Sequence, residues 1–326
     1  MRNKILLLLL LVSGFAPAAN IPPQPVRIAT PWPAQNTLIA MLGYGKNIVG
    51  TSIIAQRIPL FRQILPSIVT TPVISMNGSH EVNPEQILGL NAQLLFVPKS
   101  MPVPQEQMLE NAGVRVVALK ANSMQAMVDR VLATGQALGP DALQKAQAYQ
   151  RYFQHNVERV SHGLAGLPER EKVKVYHAMR NPLMTSGRPS LNQDWMDLAG
   201  AKNIAADWFK DKRNGSGEVP LEKIVKADPE VIIAMNRRDA ETIMHSPQWQ
   251  SVSAVKHHRV YVNPQGMFWW CRETSEEALQ FVWLAKILYS GRFNDLDIRK
   301  ETWNFYHDFF GVSLSETQIN HILHPL

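Results

Sequence analysis

Apolar positions along the chain alternate between two periods. From Val26 onward, short continuous apolar runs of the kind that form buried strands are separated by stretches in which apolar residues return every three or four positions. Residues 26–29, 47–50, 94–97 and 114–119 are the predicted strands of the first part, with predicted helices at 36–42, 83–90 and 124–138. A stretch from Asp141 to about Leu164 carries no strand signal and opens just after Gly139-Pro140, with an acid in its first turn. Proline at the start followed by an acid is a good helix beginning, so this stretch reads as one long helix. The alternation then resumes, with strands at 173–177, 231–235 and 259–262 and helices at 193–198, 221–226 and 275–288. The end of the chain is mainly helical, at 297–310 and 315–322. Strands alternating with helices imply parallel sheets covered by helices. The expected fold is therefore α/β, with two Rossmann-like lobes whose mainly parallel sheets are joined by one long rigid helix.

The two lobes carry an internal echo. Glu81-Val-Asn-Pro-Glu85-Gln-Ile87, running on to a strand at Leu94, matches Glu218-Val-Pro-Leu-Glu222-Lys-Ile224, running on to a strand at Val231, at a constant offset of 137 residues. A repeated helix–turn–strand unit on each side of a linking helix predicts two halves of related build. The expected organisation is a first lobe over residues 20–140, a linking helix over 141–165 and a second lobe over 166–326.

Residues 1–19 stand apart from this pattern. Arg2 and Lys4, the eight apolar residues from Ile5 to Val12 and the small residues Ala16, Ala18 and Ala19 have the order of a cleaved secretory signal. The apolar stretch is far shorter than the roughly 20 residues of a spanning helix. Export to the periplasm is the expectation. The single cysteine, Cys271, is not near the cleavage site and leaves no disulfide to form within the chain. The formal charge of +6, two of it from Arg2 and Lys4, is spread along the chain among acids. That distribution argues against nucleic acid as a partner.

The residues also resemble a known family. Asn83-Pro-Glu85-Gln-Ile-Leu-Gly-Leu before a strand, Trp195-Met-Asp-Leu-Ala-Gly-Ala-Lys-Asn203, Glu218-Val-Pro-Leu-Glu222, Arg259-Val-Tyr-Val-Asn263 and Ser275-Glu-Glu-Ala-Leu279 occur in an order and spacing similar to the class III periplasmic substrate-binding proteins of ATP-driven importers. The resemblance implies a non-enzymatic protein, acting as a monomer without a cofactor. Such a protein captures a small-molecule metal chelate between its lobes and delivers it to an inner-membrane ABC permease dimer. A ferric siderophore is the leading ligand; a nickel complex, cobalamin, haem or molybdate is the alternative. The resemblance further implies that Glu85 and Glu222, one exposed acid per lobe, dock onto the permease. Each also sits in a helix's first turn, where an acid is favourable in its own right.

Ligands of parallel sheets meet the loops at the carboxyl ends of strands, and clefts between domains favour pockets. Those loops offer Trp32, His80 and Lys99 in the first lobe, and Tyr176, Arg180 and the Phe268-Trp269-Trp270-Cys271-Arg272 segment in the second. Flat rings beside a planar guanidinium suit a large anionic chelate, which makes Trp269, Trp270 and Arg272 the leading candidates. Arg180 would add a second cation, and Trp32 a ring to stack on the ligand. The competing reading is that these rings plug the lobe and the arginines pair with acids. His80 and His177 lie on loops of different lobes and could meet on one metal, yet no H-x-x-x-H or H-E-x-x-H spacing occurs. No protein-held metal site is expected, because a preformed chelate brings its own ligands. A lone cysteine beside two tryptophans reads as inert packing. No phosphate loop or catalytic constellation is complete, so a metal-dependent enzyme lacks its parts.

Overall fold

The computed structural model describes residues 26–76, 81–210 and 215–325. The expected signal segment 1–19, residues 20–25 and the loop candidate His80 lie outside the described residues.

Five parallel strands form the first sheet: β1 (Ile28–Ala29), β2 (Ile48–Ser52), β3 (Val73–Ser75), β4 (Leu94–Pro98) and β5 (Arg115–Leu119), in the order β3-β2-β1-β4-β5. Helices α1 (Pro33–Met41), α2 (Ile53–Arg57), α3 (Pro59–Ile64), α4 (Pro84–Gly89) and α5 (Glu106–Asn111) connect them. After β5 the chain enters α6 (Met124–Leu138) and then α7 (Pro140–Gly163). The second sheet is also parallel. Its strands β6 (Lys174–Ala178), β8 (Lys202–Asn203), β10 (Val231–Ala234) and β11 (Val260–Val262) run in the order β11-β10-β6-β8. A separate antiparallel pair joins β7 (Met184–Ser186) to β9 (Ser216–Glu218). Helices α8 (Leu191–Leu198), α9 (Leu221–Ala227), α10 (Arg237–His245) and α11 (Ser253–Lys256) lie within this lobe, followed by α12 (Glu277–Leu288), α13 (Ile298–Phe310) and α14 (Glu316–Leu323). The two-lobed α/β fold with mainly parallel sheets expected from the alternation is the fold observed.

Each strand feeds two cores, because successive side chains point to opposite sheet faces. Leu94 and Phe96 of β4 join the large cluster that runs between the lobes, while Leu95 and Val97 join a cluster on the outer face of the first lobe. Likewise Val231 and Ile233 of β10 point to the shared cluster, and Ile232 and Ala234 to an outer cluster of the second lobe. A strand buried on both faces cannot show alternation, which is why these runs read as continuously apolar.

Helix α7 is the bridge. It is 24 residues long, about 36 Å at 1.5 Å per residue. It begins on Gly139, whose φ of 122° suits a residue without a Cβ, followed by Pro140. Its buried side chains are Ala142, Ala146, Tyr149, Phe153, Asn156 and Val160, spaced four and three apart to make a single stripe. At one end the stripe packs on α6. At the other, the Tyr149 hydroxyl donates to the Ser275 carbonyl at 2.8 Å and the Asn156 amide donates to the Ala278 carbonyl at 3.0 Å. The linking helix therefore touches the start of α12 by specific bonds as well as by apolar surface.

The internal echo is structural. Helix α4 leads to β4 as α9 leads to β10; Ile87 and Ile224 are both fully buried, and Val82 and Val219 are both nearly so. The match extends to backbone, since Asn91 and Asp228, also 137 apart, both adopt left-handed conformations at φ 50° and 46°. Asn and Asp are the residues best able to do so after glycine.

The close approach of α6 and α7 depends on Gly135. A Cβ there would lie 2.8 Å from the Ala146 Cβ and 2.9 Å from the Ala142 carbonyl oxygen, closer than packed atoms tolerate. Gly135→Val should therefore destabilise the protein by about 2 kcal/mol, the usual scale of overpacking, despite the better helix propensity of valine. The urea midpoint of the variant measures this, and an unchanged midpoint would show that the helices are not held at this distance.

Candidate functional site

The carboxyl ends of the strands of both sheets open on a cleft of about 810 Å³. The first lobe contributes Trp32 after β1, the Pro98-Lys99-Ser100 turn after β4, and Lys120 and Asn122 after β5. The second lobe contributes Arg180 after β6, Ser186 at the end of β7, Ser190 and Asn192 at the start of α8, Ser216, and the run Cys271-Arg272-Glu273.

Charge is the dominant feature of this cleft. Lys99 and Lys120 approach from one lobe, Arg180 and Arg272 from the other, against one acid among the described lining residues, Glu273. Among the described residues none of the four cations forms an ion pair with a carboxylate. Unpaired cations gathered in one concavity raise the local concentration of anions. Between the charges lie neutral hydrogen-bonding groups, and some are held in place. The Asn192 amide donates to the Ser186 hydroxyl at 3.0 Å and its oxygen accepts from the Trp195 indole at 3.0 Å, while Ser190 caps α8 by accepting from the Gln193 amide at 3.1 Å. Both arginine-bearing loops contain a left-handed residue that is not glycine, Arg180 itself at φ 41° and Glu273 beside Arg272 at φ 45°. Such conformations cost free energy and persist where the surroundings enforce them, commonly at binding sites.

Of the residues singled out in the sequence, Trp32, Lys99, Arg180 and Arg272 are brought together on this cleft. Tyr176, Trp270 and Trp269 lie elsewhere. Tyr176 points to the opposite face of its sheet, because β6 alternates; it is buried in the outer cluster, tilted against Trp249 at 6.4 Å, with its hydroxyl donating to the Pro182 carbonyl. Trp270 is fully buried in the shared core. Trp269 is half-buried and packs edge-on against Phe268 at 5.1 Å, outside the cleft lining. The aromatic run thus plugs the lobe, and the expectation that it walls the ligand gap is corrected.

Glu276 explains why the run turns inward. Its fully buried carboxylate accepts from the Met267 and Phe268 amides at 2.7 and 3.1 Å, from the Thr274 hydroxyl at 2.7 Å and from the Tyr306 hydroxyl. This draws the turn 265–270 down onto the start of α12. His177 is also fully buried, edge-on to Trp195 at 5.1 Å, and burial holds its pKa down to about 3. It is neutral near pH 7 and is no cleft residue. Burial pushes the Cys271 thiol up to about 12, so it is protonated and unreactive. Among the described residues no group of three or more His, Cys, Asp or Glu side chains could hold a metal ion.

Lys120, Asn122, Ser186, Ser190 and Asn192 were not singled out from sequence. Lys120 follows directly on the predicted strand 114–119, so the strand-end rule could have found it. Ser186 depends on the β7–β9 pair, whose short strands leave no periodic signal.

The family described as periplasmic binding protein matches residues 28–266, and the chain belongs to that family. Among its relatives is the molybdate-binding protein MolA of Haemophilus influenzae, 27% identical over an aligned length of 258 that covers 72% of this chain and 71% of that protein. A periplasmic solute binding protein from Veillonella parvula DSM 2008 has a solved structure 26% identical to this chain, covering 91% of each chain with a TM-score of 0.78. The structure of H. influenzae MolA bound to molybdate shares the fold, with a TM-score of 0.77 over 90% of this chain and 95% of that one at 21% identity.

The buried Glu276 makes stability depend on pH. Burial raises its carboxyl to about 7, and its hydrogen bonds hold it from rising further. A folded-state pKa above the unfolded value means the native state binds the extra proton, so this group's contribution to stability falls as pH rises from about 4.5 to about 7. The urea midpoint of wild type relative to Glu276→Gln should therefore decline across that window. A constant difference between the two proteins would show that Glu276 does not titrate there.

Proposed function

We propose that this chain is an exported solute-binding protein that captures a doubly charged metal oxyanion of the molybdate kind in its interlobe cleft. It presents that ion to an inner-membrane ABC permease. One observation carries the reading: four cations from two lobes converge, unpaired by acids, on a cleft otherwise furnished with hydroxyl and amide groups. A tetrahedral oxyanion offers many acceptors and no donors, and arginine forks, lysine ammonium groups and serine hydroxyls can all donate. The naming of a relative as a molybdate-binding protein points the same way.

A ferric siderophore or similar anionic chelate is the second reading, favoured by a single observation. The cleft, at about 810 Å³, is roomier than a bare oxyanion requires. The loss of Trp269 and Trp270 to the core removes the flat platforms that made this ligand the first expectation from sequence.

The test is calorimetry with molybdate, tungstate, sulfate and a panel of ferric chelates on wild type, Arg180→Ala and Arg272→Ala. Molybdate is expected to bind, with each substitution weakening it by roughly ten- to a hundredfold, the range of a charged hydrogen bond. Binding of ferric chelates with no response to oxyanions would replace the first reading by the second. Undiminished affinity in both variants would remove the arginines from the site.

Docking follows from the echo. Glu85 and Glu222 are both exposed, in the first turns of the equivalent helices α4 and α9, so the protein offers matching acids on its two lobes to a permease dimer. Changing both to lysine should abolish uptake in cells while leaving ligand affinity at the wild-type value. Normal uptake by the double variant would reject the assignment.

A further inference from the structure

Beneath the cleft lies a charged side chain that the ligand does not need to touch. Arg130, on α6, is 1% exposed. Its guanidinium carbon is 4.1 Å from the centroid of the Trp32 ring, a cation–π distance. Its Nη2 donates to the Glu273 carbonyl oxygen and, at 3.0 Å, to the Met127 sulfur. Nε and Nη1 have no hydrogen-bond partner among the described residues, and neither has the buried carboxylate of Glu277.

Core stability gives no reason for this residue. Burying a guanidinium with donors unsatisfied is costly, and apolar side chains of similar volume generally serve a core as well or better. What an apolar side chain cannot do is bind a carbonyl oxygen and cover an aromatic face at once. Both partners are cleft structures, one from each lobe. Trp32 lines the first-lobe wall. Glu273 is the left-handed residue next to Arg272 on the same loop.

We propose that Arg130 is the positioning residue of the cleft: by stacking under Trp32 and holding the Glu273 carbonyl it locks the Cys271–Glu273 loop in its left-handed form, aims Arg272 at the ligand, and adds a positive charge below the floor. Burial lowers its pKa only to about 10, with Glu273 and Glu277 opposing the shift, so that charge is present at neutral pH. The proposal rests on the oxyanion reading only for its effect on affinity; its effect on the loop is independent of any ligand.

The experiment uses the full chain as Arg130→Met and Arg130→Lys. In the ligand-free proteins, hydrogen exchange of residues 271–274 should accelerate about tenfold or more relative to global unfolding in both variants, because methionine has no donor for the Glu273 carbonyl and a lysine ammonium lacks the flat face that covers Trp32 while reaching it. Calorimetry with molybdate should show about a tenfold loss of affinity in Arg130→Met and a smaller loss in Arg130→Lys, which keeps the charge. Wild-type exchange in both variants overturns the proposal, whatever the affinity does. Accelerated exchange in variants of a protein that itself fails to bind molybdate supports the positioning role and instead rejects the oxyanion reading. Should Arg130→Met not fold, the exchange of Arg130→Lys decides alone.

Discussion

A single buried stripe along α7, from Ala142 to Val160, holds both sheets against one continuous apolar core. Without it α6 and the start of α12, which it ties together, would lose their common support, and the cleft would be only a gap between mobile bodies. With it, the space between the lobes has a defined floor. The helix packs on α6 through the close approach at Gly135 and on the start of α12 through the bonds of Tyr149 and Asn156. The loops that end the strands are thereby placed opposite one another at a fixed separation.

That fixed separation is what allows like charges to be collected. Two lysines and two arginines that could move freely would swing apart or find acids. Here the strand ends from which they project are anchored in cores on both faces of each sheet, and the arginine loops are held in left-handed conformations that a free chain rarely visits. The result is a concavity that favours anions before any ligand arrives. The same device appears one layer down, where Arg130 sits under Trp32. The cleft is electropositive by construction of the backbone, not by a sequence cluster of basic residues, and so the even spread of Lys and Arg along the chain concealed it.

Much of the fold was legible from sequence because its signals are local. Continuous apolar runs marked β4 and β10, Pro140 and Asp141 marked the start of α7, and the 137-residue echo marked the two related lobes. What failed was the direction of side chains. Tyr176 and His177 are adjacent, and the strand sends them to opposite faces; sequence alone gave no phase for a run buried on both sides. Trp269 and Trp270 do stand on a strand-end loop. Their inward turn is set by Glu276, which accepts four hydrogen bonds from residues as distant as Tyr306. The serines of β7 and β9 depend on a pairing between strands of three residues each, too short to carry a period. Arg180 and Arg272 were found because a strand-end cation needs only the strand to be placed correctly.

The most direct test of an anion held between the lobes is a crystal soaked in molybdate, with anomalous diffraction recorded at a molybdenum edge. A single strong peak within hydrogen-bonding distance of both Arg180 and Arg272 is the predicted result. A well-ordered cleft without such a peak, or a peak bound elsewhere on the surface, would contradict the account.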